Sequence, residues 1–180
     1  MRPCRPCRCR AGPLDSAAMN ATRDELLQCL SDLGIATETV EHPAVYTVDE
    51  AKALRGELQG AHSKNLFLKD KKGRFWLVVA LEDRDIDLKA LRKAIGAAQL
   101  SFGKPDALME KLGIEPGSVT PFSVINDTAG EVTVVLDADM MAREPLNFHP
   151  LINTATTRIS ADGLLKFLDH CGHDPIVATL

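Results

Sequence analysis

The chain has 180 residues, 45% of them apolar and 26% charged, and a formal net charge of −4, which suits one globular domain with a sizeable core. No apolar run approaches the roughly 18 residues of a membrane-spanning helix. The acidic balance argues against broad, non-specific nucleic-acid binding, which needs many Lys and Arg contacts to phosphate, so any RNA contact must be local.

Residues 1–18 differ from the rest, with four arginines, three prolines and Cys4, Cys7 and Cys9. A closed zinc site needs four ligands, and Cys29 and Cys171 are isolated, so a metal reading fails. A transit peptide would need an apolar face that this tail lacks. The segment reads as a disordered N-terminal extension, with Met19 as an alternative start, followed by one domain over 19–180. Without the tail the chain has 17 basic and 24 acidic residues, a net charge of −7.

Thr22-Arg23-Asp24-Glu25 is a capping box, Leu26, Leu27, Leu30 and Leu33 follow at helical spacing, and Gly34 ends that helix. Residues 35–41 alternate like a strand that His42-Pro43 breaks. A second capping box at Thr47-Val48-Asp49-Glu50 opens a helix to Leu58. Residues 62–69 and 74–82 form a hairpin around Asp70-Lys71-Lys72-Gly73, and the second strand, apolar on both faces, reads as central. Helices are expected over 87–95, 105–112 and 161–171, the second stopped by Gly113 and the third capped by Ser160. Strands are expected at 131–137 and 153–159. Helices and strands that follow no regular βαβ alternation give an α+β fold.

The strand over 62–69 puts Ser63, Asn65 and Phe67 on one face and Lys64, Leu66 and Leu68 on the other. Lys64, aligned with leucines, either snorkels from the rim of a core or points into a pocket, where its three donors would meet phosphate, hydroxyl or carbonyl oxygen. The plain alternative is a lysine that protects a strand end from edge pairing. Gly117-Ser118-Val119-Thr120-Pro121 is a G-x-x-x-P segment that can present rigid backbone groups to a ligand, or serve as an ordinary turn. His149, between Phe148 and Pro150, has the chemistry of a proton shuttle or of a structural hydrogen-bonding residue. Asp83, Asp85 and Asp87 read as a solvated loop entering a helix. Lys69, Lys71, Lys72 and Arg74 at the hairpin tip form a solvated turn or a local phosphate footprint. Lys89, Arg92 and Lys93 on the next helix are a second basic cluster. Nucleophile-elbow, P-loop, H-E-x-x-H and dinucleotide signatures are lacking.

Four segments in order, HPAVYTVDEA (His42 to Ala51), HSKNLFLKD (His62 to Asp70), GSVTPF (Gly117 to Phe122) and FHPLINTAT (Phe148 to Thr156), resemble the YbaK/prolyl-tRNA synthetase-associated editing domain family. The likeness spans 20–177 and looks most like its free-standing Ala-tRNA(Pro) deacylases. It implies a single YbaK-like domain, with a mixed or antiparallel sheet or partial barrel surrounded by helices. It implies hydrolysis of a mischarged aminoacyl ester in trans, with no cofactor, no metal and no covalent intermediate. Lys64 and Asn65 would hold the acceptor end and the ester. Backbone groups from Gly117 through Ser118, Val119 and Thr120 to Pro121 would position water and carbonyl, helped by the substrate's ribose hydroxyl. His149 and His42 would wall the site, while Tyr46 and Thr47 set its size. The expected partner is the acceptor end of tRNA(Pro), with transient contact to prolyl-tRNA synthetase or the elongation machinery, in the cytoplasm and off the membrane. A Cys-tRNA(Pro) deacylase and a non-catalytic tRNA- or protein-binding module are the rival readings.

Overall fold

Thr22 starts the first helix, α1 (Arg23–Asp32), by accepting from the Glu25 N–H at 3.3 Å, while Glu25 Oε2 accepts from the Thr22 N–H at 2.8 Å. This reciprocal cap satisfies two donors that a helix start leaves without partners. The computed structural model describes residues 20–44 and 59–180. The N-terminal extension, Tyr46, Thr47 and the helix expected over 47–58 lie outside the described residues.

The strands are β1 (Thr37–Glu41), β2 (Ala61–Asp70), β3 (Phe75–Leu81), β4 (Leu100–Phe102), β5 (Val132–Asp137), β6 (Leu146–Phe148), β7 (Ala155–Ile159) and β8 (Ile176–Ala178). After α1 come helices α2 (Leu88–Ala94), α3 (Pro105–Leu112), α4 (Ala138–Met141) and α5 (Ala161–His170), and a 3-10 helix at Pro121–Asn126. The strands form one open mixed sheet in the order β1-β7-β6-β2-β3-β5-β8, with β4 also paired to β2. The expected α+β architecture is present. Pairing is antiparallel in β1–β7, β6–β7, β2–β3 and β2–β4 and parallel in β2–β6, β3–β5 and β5–β8.

β3 is the central strand that its two-sided apolar pattern predicts. Leu77 and Val79 join a large core with Phe67, Val134, Leu136 and residues of α1, α3, α5 and the 3-10 helix. Trp76 and Val78 face the other way, into a smaller core with Leu68, Val135, and Leu91 of α2. Phe122 meets Phe148 and Phe167 edge-on, at 5.7 and 5.5 Å between centroids.

The stop at Gly113 and the cap at Ser160 are in place as expected, and Asp87, read from sequence as part of a solvated loop, is a further cap. Asp87 accepts from the Lys89 N–H at 2.8 Å and Ser160 from the Gly163 N–H at 3.0 Å. Gly113 takes the left-handed φ of 65° that ends α3. Elements that periodicity did not reveal are β4, β6, β8, α4 and the 3-10 helix. Each spans three to six residues, too few for a repeat to register.

Candidate functional site

β2 carries β3 along one edge from Ser63 to Lys69. Its other edge pairs with β6 at Ala61 and His62 and with β4 from Leu68 to Asp70. Between these pairings, around Asn65, that edge has no strand partner among the described residues. Among the described residues the sheet therefore has a gap beside the adjacent residues Lys64 and Asn65.

Their side chains leave opposite faces of the strand, as alternation requires. Asn65 faces the large core, where its Nδ2 donates to the Val119 carbonyl at 2.9 Å and so ties the 117–121 loop to the sheet. Its Oδ1 is buried without a hydrogen-bond partner among the described residues. Lys64 faces the smaller core, and its ammonium donates to the main-chain carbonyl of Arg84. The structure thus brings Asn65, not the Lys64 side chain, to the G-x-x-x-P loop. Lys64 leaves β2 on the other face of the sheet, and its ammonium is held by the connection that follows β3.

The loop has a distinct backbone feature at each end. Gly117 has φ of 93°, in the region that side chains disfavour. Thr120 caps the 3-10 helix by accepting from the Phe122 N–H at 3.3 Å, and Pro121 supplies that helix's first residue. Ser123 Oγ donates to the Thr120 carbonyl at 2.6 Å, and Thr120, Pro121 and Ser123 are all buried. Ser118 donates its N–H to the Glu115 carbonyl at 3.1 Å.

Strand register places His62, Asn147 and Arg158 side by side on the face that Lys64 shares. The two histidines expected to wall a pocket do meet, with ring centroids 6.1 Å apart. His149 Nδ1 lies 3.0 Å from the Ala155 carbonyl and His42 Nδ1 lies 2.8 Å from the Pro43 carbonyl. A carbonyl only accepts, so both Nδ1 atoms carry hydrogen. In the neutral His42 ring, Nε2 therefore accepts from the Thr156 hydroxyl at 2.9 Å. Asn147 is 3% exposed, and its Nδ2 donates to the Gln59 and Ala61 carbonyls at 3.3 Å each. Sequence reasoning passed over Asn147 and Thr156. Thr156 lies within FHPLINTAT, but its contact with His42 is made across 114 positions of chain.

Arg84 was also missed, because its Asp-Arg-Asp surroundings read as solvated loop. Its Nε lies 3.3 Å from the fully buried Asp137 carboxylate, its Nη1 donates to the Leu180 carbonyl at 2.6 Å, and its Nη2 pairs with Asp139. The hydrogen bond to Asp139 pushes the Arg84 pKa up against the opposing effect of burial, and Asp137 adds to the rise.

At the hairpin tip, Asp70 is 4% exposed. Its Oδ1 accepts from the N–H groups of Lys72 and Arg74 at 2.9 and 3.0 Å, and its Oδ2 from Arg74 Nε at 3.0 Å and the Ala98 N–H at 3.4 Å. Burial pushes its pKa up, but these hydrogen bonds outweigh it and hold the carboxyl below its ordinary value. Arg74 is committed to Asp70 and to the Trp76 ring, 5.2 Å from the centroid. Lys69 lies 5.2 Å over Phe75. Lys71 and Lys72 project as exposed side chains at the turn. On the α3 side, Lys111 bonds Glu110 and Glu131, and both raise its pKa.

The family model for the aminoacyl-tRNA editing domain matches residues 42–167, a span that contains Lys64, Asn65, the 117–121 loop and His149. The chain is 45% identical over 160 residues to prolyl-tRNA synthetase associated domain-containing protein 1 of Mus musculus, covering 86% of this chain and 94% of that one. It is 41% identical over 145 residues to the prolyl-tRNA editing protein ProX of Acetoanaerobium sticklandii, covering 80% and 88%. A crystal structure of a provisionally assigned trans-editing enzyme for prolyl tRNA synthetase has the same fold, with TM-score 0.66 at 21% identity and coverage of 89% and 98%. With most of its length matched and relatives above 40% identity, this chain belongs to the aminoacyl-tRNA editing domain family.

Proposed function

We propose that the protein is a trans-editing deacylase that hydrolyses the ester of mischarged Ala-tRNA(Pro). The observation that carries this reading is the gap in the sheet at Lys64 and Asn65. There the G-x-x-x-P loop is tied to β2 through Asn65, inside the stretch that matches the editing domain. A synthetase pocket built for proline discriminates weakly against the smaller alanine, since a missing methylene is worth about 1–3 kcal/mol. A second site too small for proline corrects the error.

In the mechanism we favour, the ester enters the gap with the acceptor end on the Lys64 side. The Lys64 ammonium binds oxygen of the terminal nucleotide or the ester. Backbone groups of Gly117 to Pro121 hold the ester carbonyl and the attacking water, in the manner of donors aimed at a developing oxyanion. The water oxygen bonds to the carbonyl carbon, and the bond to the ribose oxygen breaks. The proton of the water passes by way of the neighbouring ribose hydroxyl to the departing oxygen, leaving free alanine and uncharged tRNA. His149 and His42 close the wall, and no residue of the chain forms a covalent bond to the substrate.

Single-turnover deacylation of alanyl-, cysteinyl- and prolyl-tRNA(Pro) by the purified protein tests the reading. Loss of alanine with proline spared supports it. Preferential loss of cysteine would move the substrate to the thiol side chain at the same site. Binding of tRNA with no hydrolysis of any of the three would replace catalysis with a binding role. Asn65→Ala frees the loop from β2, so it should slow alanine release at least about tenfold while costing only ~1 kcal/mol of stability in urea.

A further inference from the structure

Lys64 ends a long, flexible stem whose ammonium carries three rotatable donors. Such a group is useful to a reaction only when something fixes it. Its partner here is the Arg84 main-chain carbonyl in the connection between β3 and α2. Ala80 lies opposite Lys64 across the ladder.

The position of that carbonyl is unusually well determined. The Arg84 N–H donates to the Leu81 carbonyl at 3.0 Å, and the Glu82 N–H returns to the His62 carbonyl at 3.0 Å. The Arg84 side chain then reaches out to three further points. Nε lies 3.3 Å from Asp137, Nη1 donates to Leu180 O at 2.6 Å, and Nη2 pairs with Asp139. Asp137 is itself fixed, accepting from the Asp139 N–H at 3.2 Å and the Leu81 N–H at 3.4 Å. The corner between β5 and α4 and the segment after β8 are thereby bolted to the residue that holds Lys64. The charge arrangement matters as much. The Arg84 guanidinium engages the carboxylates of Asp137 and Asp139, while a neutral carbonyl orients Lys64. Among the described residues the ammonium has one donor spent on that carbonyl, which leaves two for a ligand.

We propose that Arg84 is the positioning residue for Lys64: its guanidinium locks the β3–α2 connection so that its own carbonyl holds the ammonium in one place on the face of β2 opposite Asn65. The inference rests on the reading of Lys64 as a substrate-contacting group. Arg84 touches no substrate and acts only through Lys64.

A double-mutant cycle in single-turnover deacylation separates this role from a general structural one. Arg84→Gln should lower the rate constant at saturating enzyme by about tenfold or more, and Arg84→Lys should restore part of the loss. In a Lys64→Ala background, Arg84→Gln should change the rate by less than about twofold, because its effect passes through a group already gone. Equal losses in both backgrounds would overturn the proposal. So would full turnover by Arg84→Gln.

A readout that needs no turnover is the nitrogen-15 NMR signal of the Lys64 ammonium, assigned by its disappearance in Lys64→Ala. It should be restrained and slow to exchange in the wild type and averaged in Arg84→Gln, which is checked for folding by circular dichroism. An unchanged signal in folded Arg84→Gln would overturn the clamp. If the wild type deacylates none of the three tRNAs while the signal still depends on Arg84, the catalytic reading fails and the clamp stands. An Arg84→Gln chain that fails to fold leaves Arg84→Lys as the variant for both measurements. It should then show a smaller rate loss and a partly averaged signal, and wild-type values in both would refute the idea.

Discussion

Asp70 sits where a charged hairpin tip would be expected to be wet, yet it is almost wholly buried and receives N–H donors from Lys72, Arg74 and Ala98. A carboxylate with that many donors organises the turn, so Asp70→Asn should lose about 2 kcal/mol in urea denaturation at neutral pH. The pH dependence has a definite sign. The folded pKa lies below that of an ordinary aspartate, so the folded state favours the ionised form. The stabilisation is fully present above the unfolded pKa and disappears as pH falls through the lower folded value. The stability difference between wild type and Asp70→Asn should therefore be flat from about pH 7 to 5 and shrink below about pH 4. A difference that grows on acidification would contradict this account. Asp70 stands in sequence among lysines, and nothing local marks it as buried. Its donors include Ala98, brought in by the connection between α2 and β4.

The loop from Gly117 to Pro121 is legible in part from its own residues. Glycine at one end and proline at the other mark a constrained turn, and Gly117 takes φ of 93° while a 3-10 helix starts at Pro121. Gly117→Ala would force a side chain into a left-handed conformation, at about 1–2 kcal/mol. It should lower the thermal midpoint and slow alanine release, and unchanged kinetics would mean that the loop's geometry does not matter to the reaction. What the loop docks against was not legible. Its anchor, Asn65, lies 54 positions away and shows itself only through strand β2. The short strands β4, β6 and β8 belong to the same class. Their formation rests on neighbours that complete the ladder, not on any pattern of their own.

At the scale of the whole molecule, the proposed function asks an acidic chain to engage RNA with few contacts. Lys71 and Lys72 project at the tip, whereas Arg74 is tied to Asp70. Charge reversal of both, Lys71→Glu with Lys72→Glu, should weaken tRNA binding and flatten the slope of log affinity against log salt by about one for every phosphate that the tip no longer neutralises. An unchanged salt slope would remove the tip from the interface. Capping boxes, two-sided apolar strands and the order of four motifs come from nearest-neighbour chemistry and periodicity, which a linear chain carries in full. By itself the sequence determined the α+β class, the helices that start after Thr22 and Ser160, the central place of β3 and membership of an editing-domain family. Only the tertiary structure decided that Lys64 and Asn65 serve opposite faces, that Thr156 holds His42 and that Arg84 holds Lys64. Those relations depend on strand register and on contacts that join distant parts of the chain, and no local spacing encodes them.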